Sequence, residues 1–214
     1  MENSAPGVIL QILNELYPNP QPELNFETPF QLLVAAILSA QTTDKQVNAI
    51  TAGLFRKYST PREFALLTDE ELEKEIKSCG LYKNKARNII AASKILLEKY
   101  DSRVPDEFAA LISLPGVGRK TANVVLANAF GKDAIAVDTH VFRVANRLGL
   151  AAADTTAKTE DDLMNVIPKS DWNRAHHWLI FHGRRVCRAQ KPKCHECLLK
   201  DYCKYYARQE KKGF

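Results

Sequence analysis

Four of the five cysteines in this 214-residue chain fall within seventeen residues, spaced Cys187-x6-Cys194-x2-Cys197-x5-Cys203. Four thiolates can hold either a tetrahedral zinc ion or a [4Fe–4S] cube. Structural zinc usually shows two C-x-x-C pairs, and here only Cys194 and Cys197 form one. The uneven wrap suits the larger object, so iron–sulfur is favoured over zinc. Unligated buried thiols are the bland alternative. The loop between the first two cysteines carries Arg188, Lys191 and Lys193. A cluster there could staple a basic loop into a surface that faces an anionic partner.

A second stretch, Ser113 to Lys120, reads S-L-P-G-V-G-R-K. Proline and two glycines in so short a run cannot continue a helix, so this is a tight turn between helices. Gly116 and Gly118 let backbone approach a ligand closely. The first N–H groups of the following helix lack intrahelical partners, and with the helix dipole they favour a phosphate. Such a grip positions nucleic acid and reads no sequence. A plain glycine-capped turn is the alternative.

Lys120 follows this turn directly. An attacking amine must be neutral, and for a lysine of ordinary pKa that costs roughly 4–5 kcal/mol at pH 7. The positive end of a helix dipole lowers the cost. Taken singly, a lysine is more often a solvated surface group. Asp138 lies in Ala136-Val137-Asp138-Thr139-His140, just before another helix. Its simplest role is an N-cap. Near an attacking lysine it could also accept a proton and steady a cationic sugar or iminium.

The elements that must position these groups read as helices throughout. Thr28-Pro29 is a cap followed by proline at the first helical position. The apolar segment Phe30 to Ala40 after it should be buried on every side. Thr60 to Glu63 and Thr68 to Glu71 have capping-box spacing, and Gly80 is placed to end the second of these helices in a left-handed conformation. Helices are expected over Lys83 to Tyr100, from Val104-Pro105-Asp106 to about Ser113, and over Arg119 to Phe130 with Gly131 as stop. Ala134 to Val137 is an extended loop. Three further helices are expected over Thr139 to Leu148, Thr159 to Ile167 and Asp171 to His182, the last ending near Gly183. The fold class is all-α, without repeats.

Hydrophobic residues make up 45% of the chain and charged residues 26%, enough for a core in an ordinary soluble protein. Neither a signal peptide nor a membrane span is legible, so a cytoplasmic chain with no membrane partner is expected. The net charge is +5. Arg184 to Lys212 holds ten basic and three acidic residues, net +7, leaving the rest at −2. That concentration points to an anionic partner such as nucleic acid, or else to a solvated tail.

Together these residues resemble the helix-hairpin-helix DNA glycosylases, and within them the endonuclease III family. The resemblance rests on Glu23-Leu24-Asn25-Phe26 with Pro29-Phe30, Leu38-Ser39-Ala40-Gln41, Gly80-Leu81-Tyr82, Leu114 to Lys120, Val137 to His140 and the four cysteines in order. It implies a six-helix domain over 22–132 with the helix-hairpin-helix motif. A second domain, of residues 1–21 and 133–214, would carry the [4Fe–4S] cluster, with a DNA-binding cleft between the two. It implies base-excision repair by a monomer acting on double-stranded DNA with damaged bases or abasic sites, at the bacterial nucleoid. An oxidised pyrimidine is flipped out, Lys120 forms a Schiff base with the sugar, and β-elimination cuts the strand, assisted by Asp138. Gln41 and Leu81 match positions that fill the gap left by the flipped nucleotide. Without the resemblance they read as a polar helix end and a core leucine. His140, His176 and His177 are expected to be structural, and Cys79 a packed thiol. Adenine-mismatch glycosylases share the hairpin, the aspartate and the cluster. They lack a lysine at the position of Lys120 and carry an extra C-terminal domain. A purely DNA-binding module is the rival from outside catalysis.

Overall fold

A computed structural model describes residues 5–210, and among them there are helices and no strands. The chain divides into two compact units, Pro22–Lys132 and Met1–Gln21 with Asp133–Phe214.

The first unit is built around one apolar helix. Thr28 accepts a hydrogen bond from the Gln31 N–H and Pro29 opens α2, Pro29–Leu38. Every residue from Phe30 to Leu38 is buried, but the buried run stops short of the expected Ala40, with Ser39 half-buried and Ala40 exposed. Around it lie α3 (Asp44–Lys57), α4 (Pro61–Ala65), α5 (Asp69–Ile76), α6 (Tyr82–Lys99), α7 (Phe108–Ile112) and α8 (Arg119–Phe130). Helix α2 packs directly on α3, α6 and α8. Both capping boxes form, at Thr60 with Glu63 and at Thr68 with Glu71. Among the described residues the unit has seven helices where six were expected, and two of them, α4 and α7, are only five residues long.

Two local expectations shift. Helix α7 starts at Phe108, since the Asp106 carboxylate pairs with Lys132 at 2.9 Å instead of capping the turn. The left-handed residue expected at Gly80 is instead Leu81, φ +58°, where it opens α6 rather than closing α5.

The second unit joins α1 (Ala5–Leu16) to α9 (Thr139–Leu148), α10 (Thr156–Val166), α11 (Trp172–Arg185) and α12 (Lys204–Glu210). Its core gathers Leu13, Val141, Val144, Leu163, Trp178 and Leu179. Ala134 to Val137 is extended and buried. Helix α10 begins a turn earlier than expected, capped by Thr155 on the Lys158 N–H. Helix α11 does not stop at Gly183 but runs through it to Arg185. A Cβ at Gly183 would meet Val144 at 3.0 Å and His140 at 3.3 Å. This glycine therefore lets α9 and α11 pack closely, and termination is not its role. Among the described residues no helix is long and apolar enough to cross a membrane.

Candidate active site and metal centre

The hairpin is α7, the turn Ser113–Gly118, and α8. Buried Leu114 and Val117 anchor the turn from below, and the Val117 N–H closes it on the Leu114 carbonyl at 3.1 Å. Gly116 sits at φ +79°, and a Cβ there would stand 2.9 Å from Asn88 Cβ. Fold geometry alone thus demands glycine at 116. Gly118 differs. It has φ −95°, and nothing lies within 4 Å of a built Cβ. It is the N-cap of α8 and supplies no side-chain hydrogen bond to the first turn. No acidic residue occupies that turn. The first turn therefore has no side-chain cap and no carboxylate at the positive end of the dipole, with Arg119 and Lys120 as its first residues. Lys120, the second residue of α8, is exposed.

In the second unit Asp138 caps α9. One oxygen, Oδ1, accepts from the N–H groups of His140 and Val141, both at 2.8 Å. The carboxyl is half-buried, and Oδ2 takes no part in the cap. Arg143 lies one turn on. It donates to His140 Nδ1 at 3.2 Å, to the Gly183 carbonyl at 3.0 Å and to the Cys187 carbonyl at 3.1 Å. His140 is thus held in a side-chain contact with Arg143 beside the cap. His176 binds the Ala136 carbonyl through Nδ1 at 2.7 Å. Its neighbour His177 is buried, and desolvation, then the charge of His176, lowers its pKa to about 3. Both are packing groups.

All four clustered cysteines line one pocket, together with Leu148, His182, Pro192 and Tyr205. Burial raises the pKa of Cys194 and Cys203, and pushes that of Cys197 up to about 11. Among the described residues no three His, Cys, Asp or Glu side chains are placed to hold a single metal ion. Four cysteine thiols lining one pocket are the donor set that a [4Fe–4S] cube takes.

The surroundings of the thiols were not legible in the sequence. Arg147 donates to Cys187 Sγ at 3.5 Å and to the Arg188 and Ala189 carbonyls at 2.7 and 3.1 Å. It also stacks on Tyr205, 4.5 Å from the ring centroid. Buried His182, its pKa lowered to about 4 by desolvation, stands between Tyr17 Oη at 3.3 Å and Cys197 Sγ at 3.5 Å. A neutral imidazole that accepts the tyrosine hydroxyl on Nδ1 donates to the sulfur from Nε2. Arg188, Lys191 and Lys193 are all exposed on this loop, Lys193 with Glu196 at 3.4 Å.

Gln41 and Leu81 share an unusual backbone. Both are non-glycine residues in the left-handed region, φ +56° and +58°. Such conformations cost roughly 1–3 kcal/mol each and cluster at functional sites. Both side chains are exposed, and Leu81, 56% exposed, is no core leucine. Their turns are neighbours: a Cβ on Gly80 would be 3.4 Å from the Gln41 carbonyl oxygen. One buried residue beneath them, Lys85, escaped sequence reading. Its signal was present, since it precedes Ile89 and Ser93 on the buried face of α6.

Comparisons with known proteins converge. Residues 34–169 match the HhH-GPD superfamily of base excision DNA repair proteins. Residues 187–203 match the iron–sulfur binding domain of endonuclease III. The chain is 54% identical over 206 residues to endonuclease III of Rickettsia conorii, covering 96% of this chain and 98% of that protein. It is 50% identical over 197 residues to endonuclease III of Escherichia coli K12, covering 92% and 93%. Its structure superposes with TM-score 0.91 and 46% identity on a trapped endonuclease III–DNA covalent intermediate, described as an estranged-adenine complex, over 96% of this chain and 98% of that one. A thermostable thymine-DNA glycosylase matches with TM-score 0.85 and 26% identity over 97% and 99%.

Proposed function

We propose a lysine-dependent mechanism on one premise: the chain belongs to the HhH-GPD superfamily of base-excision DNA repair proteins and, within it, to the endonuclease III family. It is a DNA glycosylase and abasic-site lyase, and its cofactor is a [4Fe–4S] cluster. DNA is its partner.

The Lys120 Nζ is the nucleophile. It bonds to C1′ of an extruded, oxidised pyrimidine nucleotide as the bond from C1′ to the base breaks and the base departs. The sugar ring opens to a protonated imine. That cation acidifies the C2′ proton, whose removal drives the electron pair into a C2′–C3′ double bond and expels the 3′ phosphate. Asp138 accepts protons along this route and stabilises the developing positive charge through its carboxylate. The observation that carries this reading is the placement of Lys120. It is exposed at the start of a helix whose N-terminus has no side-chain cap and no acid in its first turn. A phosphate gripped by Gly116, Gly118 and the first N–H groups of α8 would hold the sugar near that amine.

Cys187, Cys194, Cys197 and Cys203 would hold the cluster, which stiffens the loop that presents Arg188, Lys191 and Lys193 to the DNA backbone. Gln41 and Leu81 fill the gap left by the extruded nucleotide. We place the enzyme in the cytoplasm, at the bacterial nucleoid, working as a monomer on duplexes with oxidised pyrimidines or abasic sites. On this reading residues 22–132 carry the hairpin and nucleophile, and residues 1–21 and 133–214 carry the cluster and Asp138.

Borohydride trapping on abasic-site duplex tests the chemistry. Wild type should form a covalent adduct, and Lys120→Ala should lose it by at least about 10³-fold. An undiminished adduct in the variant would assign the nucleophile elsewhere. Anaerobically purified protein should contain about four irons per chain, and stoichiometric zinc in their place would overturn the cysteine assignment.

A further inference from the structure

Lys85 is 4% exposed, and among the described residues no ion pair of its ammonium with a carboxylate is found. Its Nζ lies 2.8 Å from the Leu38 carbonyl, 2.6 Å from the Ala40 carbonyl, 3.1 Å from Thr42 Oγ1 and 3.1 Å from Cys79 Sγ. The two carbonyls belong to the C-terminal end of α2, where a cation meets the negative end of the helix dipole. A lysine ammonium has three protons to donate, and this one spends them on the turn that carries Gln41. The same residue reaches the other turn through its backbone, since the Lys85 N–H donates to the Leu81 carbonyl at 3.1 Å. Cys79 reinforces the joint. Its thiol lies 3.3 Å from the Leu38 carbonyl and 3.2 Å from Thr42 Oγ1. Gln46 Nε2 donates to the Ser78 carbonyl from the α3 side.

Two exposed side chains on strained, left-handed residues, one just after α2 and one at the N-cap of α6, therefore share one buried cationic peg. We propose that Lys85 is a positioning residue that locks the Gln41 and Leu81 turns into one unit, so that both side chains are poised together to enter the duplex. The proposal rests on the gap-filling role assigned to those two residues. Without the peg each turn relaxes separately, and insertion needs two independent ordering events.

Full-length, cluster-containing protein tests this in two parts. Hydrogen exchange compares wild type with Lys85→Met. Amides of residues 39–42 and 79–82 should exchange at least about tenfold faster in the variant, with α8 and the cysteine unit unchanged. Unchanged protection at both turns overturns the proposal. The second part places 2-aminopurine opposite a non-cleavable abasic analogue, where a wedge that unstacks the opposite base brightens it. Lys85→Met should lose most of the brightening. Lys85→Met combined with Leu81→Ala should lose no more excision rate than Leu81→Ala alone, whereas losses that multiply overturn the coupling. If exchange responds but Leu81→Ala and Gln41→Ala both keep full brightening, the lock is supported and the gap-filling reading fails. Thr42→Val removes a single acceptor. Should Lys85→Met not fold, this milder variant is expected to loosen the same two segments by a few-fold, and protection equal to wild type would overturn the lock.

Discussion

The N-termini of α8 and α9 carry Lys120 and Asp138, and they are finished in opposite ways. Helix α9 is closed by its own aspartate, with one carboxylate oxygen satisfying two backbone N–H groups. Helix α8 is left open by a glycine that offers no side-chain bond. The sequence caps helices readily elsewhere, with Thr28, Thr43, Thr60, Thr68 and Thr155 each accepting from the first turn of its helix. Helices α6, α7 and α11 also lack a side-chain cap, but of these four only α8 has a glycine at its N-cap. A side-chain cap fixes a functional group in place, while a glycine at the N-cap puts no side chain between the helix start and a ligand.

The largest expected effect tests whether Asp138 is more than a cap. Asn caps about as well as Asp, so Asp138→Asn should leave urea stability within about 0.5 kcal/mol. Base release and strand cleavage should nevertheless fall about 10²–10⁴-fold, the usual contribution of a general acid–base group. Asp138→Ala should lose the same activity and a further ~1 kcal/mol of stability. Near-wild-type turnover by the asparagine variant would reduce Asp138 to a structural residue and erase half of the contrast.

Much of this contrast was legible before any coordinates, because caps and turns are written in adjacent residues. Thr28-Pro29, the two capping boxes, the start of α8 at Arg119 and the full span of α9 all follow from local chemistry. What escaped depends on partners distant in sequence. Gly183 looked like a helix stop and is a crossing point with α9, since nothing near it in sequence announces Val144 and His140. Lys85 drew no reading from the sequence, although its helical phase sets it on the buried face. The four thiols announced a metal by spacing, but the Tyr17–His182–Cys197 chain joins three separate segments. Leu81 could not be told from a core leucine until its left-handed backbone and exposure were seen.

The two glycines of the hairpin carry the comparison down to single residues. Gly116 is fixed by its own fold, so Gly116→Ala meets both the positive φ and Asn88. It should cost about 1–3 kcal/mol in denaturant unfolding and weaken DNA binding as a consequence of the distorted turn.

Gly118 gives the smallest effect and the sharpest one, because stability and binding should move apart. Its φ is negative and its Cβ direction is open, so an aspartate can be accommodated and can cap α8 as Asp138 caps α9. Gly118→Asp should hold or raise stability, by up to about 1 kcal/mol. The same carboxylate fills the place of a phosphate and repels the backbone, so affinity for abasic duplex should fall about tenfold, roughly 1.4 kcal/mol. The salt dependence of the remaining binding should flatten by about one phosphate contact. Gly118→Ser separates the two causes, since it supplies a cap without a charge. It should gain similar stability and lose less affinity than the aspartate. If both variants bind like wild type, the donors at the start of α8 do not hold the DNA, and the open N-terminus is only a glycine that happened to precede a helix.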